Sequence, residues 1–214
     1  MELAHPMRVV TNSLDGEVLT VLGRAQAEFT VADVQRLLGG RSDRGLRMSL
    51  ERLAAEGVVT VRKAGRTSTY ALNDSHLAAP LIRGLADLRA LLIKRLEDEL
   101  ANWSQPPVYG ALFGSGTRSD HTRDSDIDVF LVRPDAADPA TWDEQVDTLS
   151  RRVTAWTGND TRVLEMSARD VGGRSAFEPV LASIADEGVT LIGDRSWLAR
   201  KIRSGATKTT RGLA

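Results

Sequence analysis

Apolar positions recur along the chain at two spacings, and the change from one to the other divides it. From Ser13, Leu14, Val18, Val21 and Leu22 fall on one helical face. After a turn at Ala27 to Thr30, Thr30 with Asp33 three residues on predicts a capped second helix carrying Val34, Leu37 and Leu38, which Gly39-Gly40 ends. A third helix, Ser42 to Glu56, turns Leu46, Leu50 and Leu53 inward. The period then drops to two. Val58 to Val61 and Ser68 to Leu72 read as strands joined around Gly65, a hairpin. Helical spacing returns at Asp74 to Trp103, where Leu77, Leu81, Leu85, Leu88, Leu92, Leu96 and Leu100 predict one long helix that Gln105-Pro106-Pro107 closes. Pro80 is tolerated near its start.

Past that boundary, Val108 to Phe113 and Asp126 to Val132 read as strands. Thr141 to Thr157 is an amphipathic helix with Trp142, Val146, Leu149, Val153 and Trp156 inward, stopped by Gly158-Asn159. Thr161 to Ser167 alternates as a third strand. A helix over Phe177 to Asp186, a short edge strand over Gly188 to Ile192, a last helix over Arg195 to Ile202 and a mobile tail from Ser204 complete the pattern. The fold class is α+β. The expected divisions are residues 1–76, a connecting helix over 77–104, and 105–214, since 214 residues suit two domains. The leucine stripe of the connector serves either a two-fold dimer seam or packing within its own chain.

Composition narrows the classes. There is no cysteine, which excludes disulfides and thiolate metal sites and fits a reducing compartment. No apolar run approaches the ~18 residues that span a bilayer, and the start lacks a signal-peptide pattern, so a cytoplasmic protein with no membrane partner is expected. The formal net charge of −1 says little, but its distribution says more. Arg44 and Arg47 fall opposite the leucines of the third helix, with Arg41 and Arg52 beside them, and Arg62, Lys63 and Arg66 cluster at the hairpin. Glu51 on the same outward face weakens this footprint.

Three helices followed by a hairpin resemble the winged helix-turn-helix domain, with Ser42 to Glu56 as recognition helix and Arg62 to Thr69 as wing. The resemblance implies that Arg41, Arg44, Arg47, Arg52, Arg62, Lys63 and Arg66 contact double-stranded DNA. A solvated helix face on a module for protein contact is the alternative.

The chemistry concentrates between Val108 and Val132. Residues two apart on a strand share a face, so Asp126 and Asp128 project together while Ile127 and Val129 turn away. Paired carboxylates repel unless a cation lies between them, and Mg²⁺ suits two carboxylates completed by water and phosphate. Gly114 and Ser115, at the end of the preceding strand, let backbone amides approach a phosphate. Gly114-Ser115, ten residues, then Asp126-Ile127-Asp128 resembles the polymerase β-like nucleotidyltransferase superfamily, especially its minimal members, whose pattern G-S-x-A-R-G has Ala, Arg and Gly where this chain has Thr117, Arg118 and Ser119.

The resemblance covers about the second half of the chain. It implies a small mixed sheet flanked by helices, a nucleoside triphosphate substrate held by Gly114, Ser115 and Arg118, and two Mg²⁺ ions. Asp126 and Asp128 would hold those ions with a third carboxylate from a neighbouring strand, Glu165, which would complete the second metal site and take the acceptor's proton, Asp160 being the runner-up. Nucleoside monophosphate would pass to a protein, RNA or small-molecule acceptor. A regulator that senses nucleotide without turnover, and an antitoxin that adenylylates a partner protein, are the competing readings. His121, with Arg118 and Arg123, could neutralise phosphate or simply face solvent.

Overall fold

The computed structural model describes residues 1–214 apart from 115–121, 123–124, 175–178 and 212–214; for Ala64, 172–174 and 205–211 it describes the backbone alone. The chain divides into two compact units, one formed by Glu2 and Ala4–Arg89 and the other by Met1, Leu3 and Ala90–Ala214. Among the described residues no helix is long and apolar enough to cross a membrane.

In the first unit a 3-10 turn, Pro6–Val9, precedes helices α1 (Leu14–Arg24), α2 (Val31–Leu38) and α3 (Asp43–Ala55). Each helix begins where a hydroxyl can accept one of its unpaired amides: Ser13, Thr30 and Ser42 stand at the three N-caps. At Thr30 the exchange is reciprocal, because the Asp33 carboxylate also accepts from the Thr30 amide at 3.0 Å. Strands β1 (Val59–Ala64) and β2 (Thr67–Leu72) pair antiparallel around Gly65, whose φ of 61° favours glycine. The expected turn before α2 does more than turn. Phe29 and Tyr70 exchange both backbone hydrogen bonds at 2.8 Å, adding a third segment beside β2. Val18, Leu22, Val34, Leu46, Leu50 and Tyr70 fill the core between helices and hairpin.

The single helix expected over Asp74 to Trp103 is two helices, α4 (Ala79–Ala86) and α5 (Leu88–Ala101). Tertiary contacts interrupt it. The Arg24 guanidinium donates to the Ala86 carbonyl at 3.2 Å, the acceptor an unbroken helix would give to the amide four residues on, and Asp87 takes φ −101° and ψ 17°. The leucine stripe divides accordingly. Leu77 and Leu81 are exposed, whereas Leu92, Leu96 and Leu100 are buried in the core of the second unit.

That unit is a four-stranded sheet in the order β5-β4-β3-β6, from β3 (Tyr109–Phe113), β4 (Ile127–Arg133), β5 (Thr161–Ser167) and β6 (Val189–Ile192). β3 runs antiparallel to both β4 and β6, while β4 and β5 are parallel, joined through α6 (Pro139–Thr157). Alternation along β4 gives the sheet two cores. Ile127, Val129 and Leu131 pack with α5 and α6 on one face; Phe130 and Val132 pack on the other with α7 (Ala168–Arg174), α8 (Pro179–Glu187) and α9 (Arg195–Arg211). Each buried side chain of this size contributes roughly 1.5–3 kcal/mol, so register is strongly fixed. The last helix does not stop at Ile202: its backbone stays helical through Arg211, where a mobile tail was expected.

Candidate functional site

β4 is buried on both faces except near its two ends, at Asp128 and Arg133. Asp126 immediately precedes the strand and Asp128 is its second residue, and both are half-buried. Period-two alternation puts them on the face of Phe130 and Val132, away from Ile127 and Val129. Their proximity has an electrostatic consequence. Burial, and then the Asp126 charge, raise the Asp128 pKa above the usual carboxylate range, while the Arg162 guanidinium opposes the rise.

Gly114 closes the site from β3. Its φ is +67°, and a Cβ built there would lie 2.5 Å from Asp128 Oδ2. The conformation favours glycine, and any larger residue would have to displace the Asp128 carboxylate. Gly114→Ala is expected to cost about 1–2 kcal/mol from backbone strain, with a further loss as the Asp128 carboxylate is pushed aside. Urea unfolding checks this, and a variant as stable as the parent would contradict the close approach.

The neighbouring strand supplies a cation where a carboxylate was expected. β5 pairs with β4 so that Arg162 lies beside Asp128 and Glu165 beside Leu131. Residues in register share a face, so Glu165 belongs with Leu131 on the α6 side of the sheet, opposite the aspartates. There its carboxylate accepts a hydrogen bond from the Trp142 indole. Glu165 is thus not brought to the pair, which corrects its expected role as third carboxylate. Asp160 lies at the entrance to β5, exposed, with its backbone carbonyl accepting from Ile127 at 2.8 Å and its carboxylate from the Thr161 amide at 3.1 Å.

What the sequence reading missed is Arg162, whose Nη1 lies 3.0 Å from Asp126 Oδ2. The signal was its alternation with Glu165, which places one of the two beside the aspartates. Ser115, Arg118, His121 and Arg123 lie outside the described residues.

Among the described residues no group of three or more His, Cys, Asp and Glu side chains is placed to hold a metal. The donor set still fits a hard divalent ion. Two carboxylates share one face, one is held against a glycine that leaves no side chain between them and the β3 terminus, and such ions take one or two carboxylates plus water and phosphate.

No family model and no curated protein matches this chain. Distant likenesses exist among solved structures. A chain of a mutant MntA–HpeT toxin–antitoxin complex is 15% identical, with a TM-score of 0.41, over 56% of this chain and 87% of that one. A toxin–antitoxin structure with AMP-PNP gives 17% and 0.40 over 56% and 87%. A tri-AMPylated Shewanella oneidensis HEPN toxin in complex with MNT antitoxin gives 16% and 0.38 over 57% and 91%. Likeness this distant assigns neither family nor activity.

In the first unit, most of the cations expected to meet DNA are already paired. Arg41 donates twice to Glu17 at 2.7 and 2.6 Å, Arg47 is 2.9 Å from Asp43, Arg62 is 3.2 Å from Glu28, and Arg52 pairs with Asp15. Arg44, Lys63 and Arg66 are exposed. The Arg47–Asp43 and Arg62–Glu28 pairs are open to solvent on both sides, and such pairs are worth little and can be exchanged for phosphate contacts.

Proposed function

We propose that the second unit is a nucleotidyltransferase, transferring a nucleoside monophosphate from a nucleoside triphosphate to an acceptor hydroxyl. One observation carries this reading: Asp126 and Asp128 project from one face of β4, with the Asp128 carboxylate against Gly114. Asp126 and Asp128 would hold Mg²⁺, which when bound neutralises triphosphate charge and favours the departing pyrophosphate. With Glu165 on the other face, the described side chains support one ion rather than two.

The chain's own task is then mostly positioning. The hydroxyl oxygen bonds to the α-phosphorus as the bond to the β-phosphate oxygen breaks. The hydroxyl's proton passes to solvent or to the departing pyrophosphate. Gly114 keeps the space beside that carboxylate clear. Ser115 and Arg118 complete the proposed nucleotide contacts. The test supplies each of the four α-labelled nucleoside triphosphates with Mg²⁺, together with protein, RNA or small hydroxylated acceptors, and follows pyrophosphate release. Release with at least one acceptor is the expected result; binding of triphosphate without any release would favour a sensor.

The first unit is proposed to bind duplex DNA as a winged helix, α3 entering the groove and the β1–β2 hairpin lying on the adjoining backbone. Support comes from the order of three capped helices and hairpin, the Phe29–Tyr70 pairing, and the exposed Arg44, Lys63 and Arg66. Affinity for duplex DNA should fall steeply with salt. Binding that Arg44→Ala and Lys63→Ala leave unchanged would argue for protein contact instead.

A further inference from the structure

Two carboxylates this close ask for a positive charge, and the chain supplies one. The β4–β5 register fixes the Arg162 backbone directly beside Asp128 on the shared face, so its presence there follows from strand pairing and not from a side-chain rotamer alone. The guanidinium reaches across to Asp126 at 3.0 Å, with 69% of the Arg162 side chain and 27% of the Asp126 side chain exposed. A pair that open is weakly held and can exchange partners. Among the described residues β5 is also the edge of the sheet, with no further strand beyond the arginine. Guanidinium forks match phosphate oxygens at two points, as they match carboxylates.

We propose that Arg162 is the resident counter-ion of the carboxylate pair, displaced from Asp126 by the divalent ion and transferred to the nucleotide's phosphates. This rests on the nucleotidyltransferase reading and adds a residue to that site. Before nucleotide arrives, Arg162 offsets half the charge of the pair and competes with the ion. Once the ion and triphosphate are bound, the freed guanidinium offsets phosphate charge. One arginine therefore weakens the binding of the metal alone and strengthens the binding of metal and nucleotide together.

The two effects have opposite signs, which makes the test sharp. The full chain and its Arg162→Gln variant are titrated calorimetrically with Mg²⁺ alone, then, at saturating Mg²⁺, with an ATP analogue carrying a methylene between the α- and β-phosphorus. Arg162→Gln is expected to bind Mg²⁺ about two- to fivefold more tightly, the small gain an exposed ion pair allows. The same variant should bind the analogue about tenfold more weakly, as loss of a charge-assisted hydrogen bond implies. Arg162→Lys keeps the competing charge but not the planar fork, and should restore the parent's Mg²⁺ affinity while recovering only part of the analogue's. Unchanged or weaker Mg²⁺ binding by Arg162→Gln, or unchanged analogue binding, overturns the exchange. If the unaltered chain binds neither probe, the nucleotidyltransferase reading itself fails.

Discussion

Replacing Asp128 with asparagine is expected to lower nucleotide transfer by about 10³-fold or more while raising the melting temperature at neutral pH. The catalytic loss follows from removing one of the two carboxylates that would hold the ion, an interaction worth several kcal/mol. The stability gain follows from the opposite property of the same group. Burial and the Asp126 charge raise the Asp128 pKa in the folded state, so above that pKa the folded chain holds an ionised carboxylate less comfortably than the unfolded chain does. The penalty is complete above the folded pKa. As pH falls through the folded pKa, the folded state takes up its proton first, and the penalty shrinks. Below the unfolded value of about 3.9 it has gone.

Asparagine keeps the shape and lacks the charge, so variant and parent should differ most near pH 7 and converge in acid. Melting curves in metal-free buffer from pH 7 to pH 4 read this directly. A gap independent of pH would show that charge is not its cause, and transfer near the parent rate would remove Asp128 from the site. Loss of activity alone is common to any damaged enzyme. Loss of activity with a gain in stability separates a residue kept for chemistry from one kept for folding.

The features legible in the sequence were those whose causes are local. Thr30 and Asp33 cap a helix by reaching three residues, and Gly158 ends α6 at φ 71° because a left-handed residue is needed there, so neighbours alone suffice to read both. Asp126 and Asp128 share a face by strand geometry alone, whatever the strand pairs with. Glu165 is different. Which face it takes beside the aspartates depends on the register between two strands separated by the whole of α6, and no pattern within Thr161 to Ser167 encodes that. The interruption at Asp87 has the same character: Arg24, remote in sequence, takes the Ala86 carbonyl, while the leucine spacing runs on undisturbed. Phe29 meets Tyr70 through backbone atoms, which carry no side-chain signature at all.

Truncating Trp142 to alanine is expected to cost the second unit about 3–5 kcal/mol. Trp142 is fully buried in α6, meets Trp103 edge-on at 5.4 Å and 83°, and donates its indole N–H to Glu165. The measurement can be confined to the right unit, because Trp103, Trp142, Trp156 and Trp197 all lie within Ala90–Ala214. Tryptophan fluorescence thus follows that unit while circular dichroism follows both, and the urea midpoint seen by fluorescence should fall by about 1 M or more. Trp142→Phe keeps one aromatic ring but loses the hydrogen bond and part of the indole's volume, so a smaller cost of about 1–3 kcal/mol is expected.

Glu165→Gln completes the comparison. It keeps an acceptor for the indole, and because Glu165 lies on the α6 face it should leave nucleotide transfer within about twofold of the parent, where Asp128→Asn abolishes it. A collapse of transfer in Glu165→Gln would overturn the placement of this carboxylate away from the aspartates. With transfer retained, Glu165 belongs to the fold, and Trp142 holds β5 in the one alignment that presents Arg162 to the pair.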